Sequence, residues 1–515
     1  MTKRILSLLV IFTVVGYVNA QDWATSVAQI FYSRCTSCHH PGGAGPFSLL
    51  DYNTAYTYRY VIKQYVNDGL MPPWPPDTNY SRFVHERILT QSEAQSIINW
   101  VNNGAPQGDP NQAPAPPVYS GQYQLSGTPD LVIKMPAYTS NAVSNDEYVC
   151  FSIPSNLTVD RYVRAVEIVP GNPQIVHHVL LFADSSNSMP PGSYQNCFTG
   201  GDIGIGGYAP GSSPVVFPSQ GNAKMGIRIP AGSNIILQMH YPAGSAGMMD
   251  STEVRFFFYP VNETGIRQIY VVPLLQNWAL NIPPNTVQTY YNACSSSGIF
   301  ANCKFPFQVS VFAAFPHSHL LCQSIVNYAH NNGDTIPLIR INRWDFHWQG
   351  FYTFKKLKVV PANYKWEGVH VYDNTVNNPN NPNNPPQTVT AGEATTDEML
   401  YDSFMLLFYQ PGDEYLNIDS LLTVSIIEHN RLSVNDRLKI YPNPASDLLN
   451  VYTSFQPGEM YLMRIFDISG HLITEIKTQG SYARLDISNL DPGSYILQVT
   501  SEKGQSWSAR WIKTH

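Results

Sequence analysis

Val163-Arg164-Ala165-Val166-Glu167-Ile168-Val169 is a short run dominated by Val and Ile, closed by Pro170-Gly171-Asn172-Pro173. β-Branched residues suit a pleated, half-buried surface, and a Pro/Gly/Asn cluster turns the chain, so the stretch reads as a strand and its turn. The same alternation recurs over about residues 131–426, a length suited to two β-sandwiches. The Asn/Pro run at residues 377–386 interrupts it as a long loop, because strand-like sequence resumes beyond it. Of 515 residues only 13% are charged, while Tyr, Pro and Gly number 32, 40 and 34. That composition favours strands and ordered loops over long solvated helices.

Both flanks depart from this middle. Upstream, residues 24–32 have helical apolar spacing, and Thr90 with Glu93 forms a capping box for a second helix. Ile97, Ile98, Trp100 and Val101 make its buried stripe, and Gly104 is the expected stop ahead of Pro106. Residues 107–117 turn to Pro, Ala, Asn and Gly, the composition of a linker. Downstream, Tyr441-Pro442-Asn443-Pro444-Ala445 leads into Leu448-Leu449-Asn450-Val451, then Met463-Arg464-Ile465-Phe466-Asp467, a turn at Gly470, and Tyr495-Ile496-Leu497-Gln498-Val499. This spacing suits a small sandwich of about seven strands. The expected fold class is multidomain and mainly β. It comprises a signal segment (1–20), a small all-α unit (21–107), a Pro-rich linker (108–128), two β-sandwiches (129–285 and 286–428) and a small C-terminal β-sandwich (438–515).

A formal charge of −7 and a pI near 6.0 leave no basic surplus, which excludes nucleic acid as an evident partner. Lys3 and Arg4, an apolar run at residues 5–15 and Val18-Asn19-Ala20 before Gln21 have the three-part form of a signal peptide. The run is too short to span a bilayer, so the expected mature protein is soluble and exported, a setting that permits disulfides. Cys150 with Cys197 and Cys294 with Cys303 are the preferred pairs. The seven cysteines leave at least one thiol outside such pairs and the motif that follows.

Cys35-Thr36-Ser37-Cys38-His39 is a C-x-x-C-H sequence, read as attachment of haem c: two thiols bond the vinyl groups and the imidazole ligates iron. A chance CxxC disulfide followed by His is the competing reading. For the second axial position, Met71 lies in the rigid stretch Gly69-Leu70-Met71-Pro72-Pro73-Trp74-Pro75-Pro76, with His40 and His85 as competitors. A thioether there would raise the potential relative to two imidazoles. With these motifs, residues 22–106 resemble a cytochrome c domain, in which Met-Pro-Pro-Trp recurs at the distal ligand.

Six further candidate ligands are spread along the middle of the chain: His177, His178, His240, His317, His319 and Met399. Imidazole binds several borderline metals, but a thioether is soft and favours copper, above all Cu(I). His317 and His319 are two apart and share one face of an extended chain. His177 and His178 face opposite ways on a regular strand, so joint ligation needs a bulge or strand end, which Pro170, Gly171 and Pro173 can supply. A lone His on an apolar strand is more often a hydrogen-bonded core residue; the set as a whole points to metal.

Val176-His177-His178-Val179-Leu180-Leu181-Phe182, Gln238-Met239-His240-Tyr241, Phe315-Pro316-His317-Ser318-His319-Leu320 and Thr396-Asp397-Glu398-Met399 resemble, in order and spacing, the copper type II monooxygenases. This is the family of peptidylglycine α-hydroxylating and dopamine β-monooxygenase. The resemblance implies two copper ions. His177, His178 and His240 would hold an electron-transfer copper in the first sandwich, and His317, His319 and Met399 the dioxygen-binding copper in the second, across a solvent-filled gap. Where the peptide-amidating members anchor a substrate carboxylate with Arg, Asn and Tyr, this chain has Phe315, Tyr401 and Ser403, which implies an apolar or aromatic small-molecule substrate. The family's disulfide beside the Met ligand is replaced by His370 and Leu400. His347, in Trp344-Asp345-Phe346-His347-Trp348, reads as a structural histidine.

Tyr441-Pro442-Asn443-Pro444-Ala445 and Gly493-Ser494-Tyr495 make residues 438–515 similar to the type A sorting domain of the type IX secretion system. That implies passage through the type IX machinery to the cell surface or medium. The combined expectation is an exported copper-dependent monooxygenase that inserts one atom of dioxygen into a C–H bond, with electrons from the attached haem, a redox partner or ascorbate. The alternative class is a non-catalytic surface protein that binds copper and passes electrons. A zinc hydrolase would rest on the His-x-His pair alone and leave Met399 unexplained.

Overall fold

The computed structural model describes residues 21–515 except 118, 120–122, 126, 198–200, 222, 423–437, 442, 454–459, 468–470, 480–481, 502–505 and 515. The expected signal segment and the turn at Gly470 lie outside the described residues. The chain forms two compact units, one of Met1–Tyr123, Leu131–Phe217 and Asn222–Asp419, the other of Gln124–Asp130, Pro218–Gly221 and Ser420–His515.

The first unit opens with helices α1 (Ala28–Arg34), α2 (Tyr52–Asn67) and α3 (Gln91–Asn102). The helical spacing over residues 24–32 is realised as a π-helical turn, Trp23–Val27, running into α1. At α3 the capping box forms: Glu93 N–H donates to Thr90 Oγ1 (3.1 Å), and the Glu93 carboxylate accepts from Thr90 N–H (2.7 Å). Ile97, Trp100 and Val101 are buried, and Gly104 follows at φ +85°. α2 was not foreseen. Its sequence is rich in Tyr, Thr and Val, and only Ala55 and Ile62 are fully buried, so no apolar stripe announces it. Trp23, Val27, Phe31, Leu49, Ile62, Trp100 and Val101 form the core that joins the three helices.

Two sheets follow in a first lobe. The strand order in one is Leu131–Lys134, Glu253–Phe258, Arg161–Val169, Met225–Ile229, Arg267–Gln268, with Val215–Val216 also on Arg161–Val169. The other runs Gly192–Gln195, Glu147–Pro154, Asn234–Tyr241, His178–Asp184, Ile203–Tyr208. Asn234–Tyr241 is central and buried along its whole length, its polar Asn234, Gln238 and His240 included. The Cys150–Cys197 disulfide closes beside it.

The second lobe pairs the sheet Tyr270–Gln276, Tyr401–Phe408, Val309–Phe315, Tyr352–Val360 with the sheet Val287–Tyr291, Lys365–Asp373, Cys322–Asn331, Asp334–Ile341. Residues of both sheets share one core, including Leu275, Val311, Ile325, Ile339, Phe354, Trp366, Tyr372 and Phe404. Lys365–Asp373 alternates strictly, with Trp366, Gly368, His370 and Tyr372 inward. Tyr270–Gln276 and Asn281–Ile282, expected within the first sandwich (129–285), pair instead with Tyr401–Phe408 and Val389–Thr390. The division therefore falls near residue 269, because backbone pairing rather than the next turn cluster decides it. Residues 377–386 form a loop tied down by Asn374, whose side-chain amide donates to Ile282, Pro283 and Gln387 carbonyls.

The segment after α2 leaves the helices and joins the second lobe. Pro76 bridges to Ile341 and Phe83 to Phe354; Val84 N–H donates to Thr353 O (2.7 Å), and Lys355 N–H to Arg82 O (3.0 Å). Phe83 is completely buried in the second lobe's core, and Trp74 packs against that core.

The second unit carries seven strands among the described residues. Leu438–Tyr441, Leu448–Thr453 and Tyr482–Asp486 make one sheet; Leu472–Gln479, Met460–Asp467, Gly493–Ser501 and Ser506–Lys513 make the other. Leu449, Val451 and Leu485 of the first meet Met463, Ile465, Leu497, Val499 and Trp511 of the second in one core.

Candidate metal centre

His178 opens the strand His178–Asp184 and His177 is the last residue of the irregular stretch before it, so the two imidazoles escape the alternation of a regular strand. His178 and His240 are directly opposed on antiparallel neighbours, and His177 N–H donates to His240 O (3.0 Å). His177 Nδ1 lies 3.4 Å from His178 Nδ1, which lies 3.2 Å from His240 Nδ1. One ligand atom from each of the three falls within 4.8 Å of the others. Nitrogens bound at 2.0–2.1 Å around a tetrahedral ion would be about 3.3 Å apart. His240 Nε2–H donates to Asp146 Oδ2 (3.0 Å), which leaves Nδ1 as the lone-pair atom facing the group. Burial would raise the Asp146 carboxyl, but hydrogen bonds from His240, Thr395 and Ala243 outweigh it and hold the group well below the usual carboxylate range. Tyr148 stacks on His240 at 4.4 Å from the other neighbouring strand.

In the second lobe the His317 and His319 rings stand 5.1 Å apart and nearly perpendicular. His317 Nδ1–H donates to Gln349 Oε1 (2.5 Å) and His319 Nδ1–H to Asp397 O (3.1 Å), so each keeps Nε2 for a ligand. Buried Glu398 fastens this turn to the Met399 segment: its carboxylate accepts from the N–H groups of His319 (3.0 Å), Leu321 (2.6 Å) and Met399 (3.1 Å) and from Ser318 Oγ (3.0 Å). Burial raises its pKa to about 7 against those bonds. Met399 O accepts from Ser318 Oγ (2.7 Å) and Tyr372 OH (2.8 Å), and Tyr401 N–H donates to His317 O (3.2 Å). Where a family disulfide was expected to be missing, His370 Nε2–H donates to Asp402 Oδ2 (3.0 Å), Asp402 Oδ1 accepts from His317 N–H (3.2 Å), and Leu400 is buried.

The solvent-filled gap implied between the two groups is bridged. The Phe346 ring lies 5.3 Å from His177, nearly parallel, and 5.7 Å from His319, edge on. Thr395, from the Met399 side, donates to the same Asp146 that holds His240. Burial, the leading cause at each, lowers His177 and His319 to about 3 and His317 to about 4, and takes His178 well below its ordinary value. These imidazoles are neutral at physiological pH, the form that ligates a metal. His347, expected as a structural histidine, is exposed, paired with Asp345 (3.1 Å) and 5.9 Å from the His177 ring. Asp146, Gln349, Glu398 and Phe346 are neighbours of these histidines that sequence reasoning did not assign; only the aromatic density around Phe346 was a visible signal.

At the C-x-x-C-H motif, Cys35 and Cys38 are not joined by a disulfide. Burial pushes the Cys35 thiol up to about 12. His39 Nδ1–H donates to Phe47 O (3.0 Å), leaving Nε2 as the free nitrogen, the arrangement an axial imidazole needs. A β-carbon on Gly45 would fall 2.6 Å from His39 Nδ1, so only glycine lets this loop close on the ring. These residues fit haem attachment. Met71 follows α2, its N–H donating to Tyr65 O (3.1 Å); His40 stacks on Tyr119 at 4.0 Å; His85 is exposed. The odd thiol is Cys322, buried and donating to Ser324 O (3.6 Å).

Among solved structures, a DUF3244-family protein with an immunoglobulin-like β-sandwich fold from Bacteroides vulgatus aligns at 20% identity over 15% of this chain and 84% of its own, with a TM-score of 0.14. A β-glucuronidase of Parabacteroides merdae aligns at 11% identity over 45% of this chain and 29% of its own, with a TM-score of 0.13. No curated protein matches. Family models match in two places: copper type II ascorbate-dependent monooxygenase, C-terminal domain, at residues 266–415, and secretion system C-terminal sorting domain at residues 439–514. Residues 266–415, in the second lobe, are thus similar to the C-terminal domain of the copper type II ascorbate-dependent monooxygenases, and the match at residues 439–514 is to a sorting domain, which implies export to the cell surface or medium.

Proposed function

We propose that this protein is an exported copper-dependent monooxygenase that inserts one atom of dioxygen into a C–H bond and receives electrons through a haem c on its own N-terminal segment. The observation that carries this reading is the preset state of its histidines. His240, His317 and His319 each have one ring nitrogen occupied, by Asp146, Gln349 and Asp397 O, while the other is left as a lone-pair donor. His177, His178 and His240 would hold one copper, and His317, His319 and Met399 the other; the thioether favours Cu(I) over zinc.

Copper bound in these sites would supply the one-electron steps by which one oxygen atom enters substrate and the other leaves as water. The chain's own residues prepare the ground. Burial keeps His177, His178, His317 and His319 unprotonated, Glu398 fixes the Met399 segment against the His317–His319 turn, and Phe346 lies between the two groups. Phe315 stacks on Phe351 at 4.6 Å and lies 6.2 Å from His317, an apolar wall where a carboxylate clamp is missing. Tyr401, 6.2 Å from Trp278, continues it. This wall supports an apolar or aromatic substrate. Cys35, Cys38, His39 and Met71 would hold the haem, and ascorbate or a redox partner would recharge it.

Metal and haem quantification on purified protein, followed by oxygen uptake with apolar and aromatic substrates, tests the reading. Two coppers and one haem with substrate-dependent uptake are expected. Full copper loading without uptake would favour a non-catalytic copper-binding and electron-transfer protein.

A further inference from the structure

The stretch Trp344-Asp345-Phe346-His347-Trp348-Gln349 reaches His177, His317 and His319 and approaches the Cys38 side of the C-x-x-C-H motif. At one end, Gly211 accepts from the Arg87 guanidinium and adopts φ +77°. A β-carbon on Gly211 would meet Cys38 Sγ at 3.1 Å and Trp348 Cζ3 at 3.8 Å, so the haem-attachment thiol and the Trp348 ring flank one glycine. Next to Trp348, Gln349 holds His317; earlier in the stretch, Phe346 lies against both His177 and His319, and Trp344 Nε1–H donates to His319 O (3.1 Å). The stretch is stiff. Trp348 N–H donates to Asp345 O (3.0 Å), Gln349 Nε2–H to Phe346 O (2.7 Å), and Trp344 is buried in the second lobe's core.

We propose that residues 344–349 form the electron conduit between the haem and the histidine groups, with Trp348 as its haem-side terminus. The inference rests on the haem and copper reading above. In the transfer, ferrous haem loses one electron and becomes ferric, a cupric ion gains it and becomes cuprous, and no bond or proton moves. Electron tunnelling weakens steeply across gaps and is sustained by packed and bonded atoms. Trp348, packed with Cys38 around Gly211, is joined by the backbone to Gln349, which holds His317, and the pair supplies such a path. A competing path runs through Tyr208, which lies within electrostatic reach of Cys38 and is paired with Val179, next to His178.

The test uses the full chain with haem and Cu(II), its haem reduced without excess reductant, and follows haem oxidation anaerobically by stopped flow. Wild-type protein is expected to show a first-order rate independent of protein concentration. Trp348→Leu is expected to slow it about tenfold or more and Trp348→Phe to stay within about threefold of wild type, with haem spectrum and copper content unchanged. Equal rates in Trp348→Leu and wild type would overturn the conduit while leaving the haem as donor. Slowing in Tyr208→Leu but not in Trp348→Leu would also overturn it, moving the path to the first lobe. A wild-type rate that scales with protein concentration would overturn the internal haem donor itself.

Discussion

Asp146 would act on the proposed copper position through His240 without itself occupying it. By accepting the Nε2 proton of His240 it decides which nitrogen His240 presents, and its second oxygen accepts from Ala243 N–H (2.9 Å), which fixes the carboxylate. Asp146→Ala is expected to weaken copper binding by about 10–100-fold with the fold retained. Competition with a chelator of known affinity reads this directly, and unchanged affinity would show that His240 is oriented by other means. The histidines were legible in the sequence because soft and borderline ligands in a set are rare. Asp146, Gln349 and Glu398 were not, since a holder is recognised by what it touches, and these reach partners 94, 32 and 79 residues away. His347, read as structural and not as a ligand, has an exposed ring paired with Asp345.

Elements are held to the sites by a few long-range ties. Cys150 sits on Glu147–Pro154, opposite Gln238 and two residues from His240, and its bond to Cys197 closes a separation of 47 residues. Replacing both cysteines by Ala is expected to cost about 2–5 kcal/mol of stability, read by denaturant unfolding. A second tie is electrostatic. Arg267 donates twice to Asp413 (2.6 and 2.7 Å), both side chains being buried, and Ser310 Oγ donates to the same carboxylate. Burial would raise Asp413, but Arg267, Ser310 and Gln410 outweigh it and depress the carboxyl below its ordinary 3.8. The unfolded chain therefore binds this proton more readily than the fold does. The contribution is complete above the ordinary carboxylate range and is lost as pH falls through the depressed value. Asp413→Asn strands a buried guanidinium and is expected to cost about 3–5 kcal/mol near neutral pH. The gap to wild type should narrow below about pH 4, and a gap that stays constant would contradict the linkage. At this scale the sequence showed strands well and α2 poorly, because a Tyr-rich helix with two buried residues lacks the periodic stripe that pattern reading needs.

Across the whole first unit, the chain order helix, first lobe, second lobe was visible, but the way the pieces share a core was not. Turn clusters mark where a strand ends and are silent about which strand it pairs with, which is why Tyr270–Gln276 seemed to belong to the first lobe. Phe83 shows the same limit more sharply: it precedes the linker, yet its ring is packed on Phe354 at 5.0 Å inside the second lobe. Phe83→Ala is expected to cost about 3–5 kcal/mol. The loss should appear in unfolding of the second lobe, followed through its buried Trp366, and intact Trp366 signal would separate the two regions. The insertion also bears on how such a protein can be inherited. A helical module whose neighbouring residues complete the core of another lobe cannot be gained or lost by simple exchange of gene segments. A descendant that lost the proposed haem would have to keep residues 74–84 as part of its second lobe, even with Cys35 and Cys38 replaced.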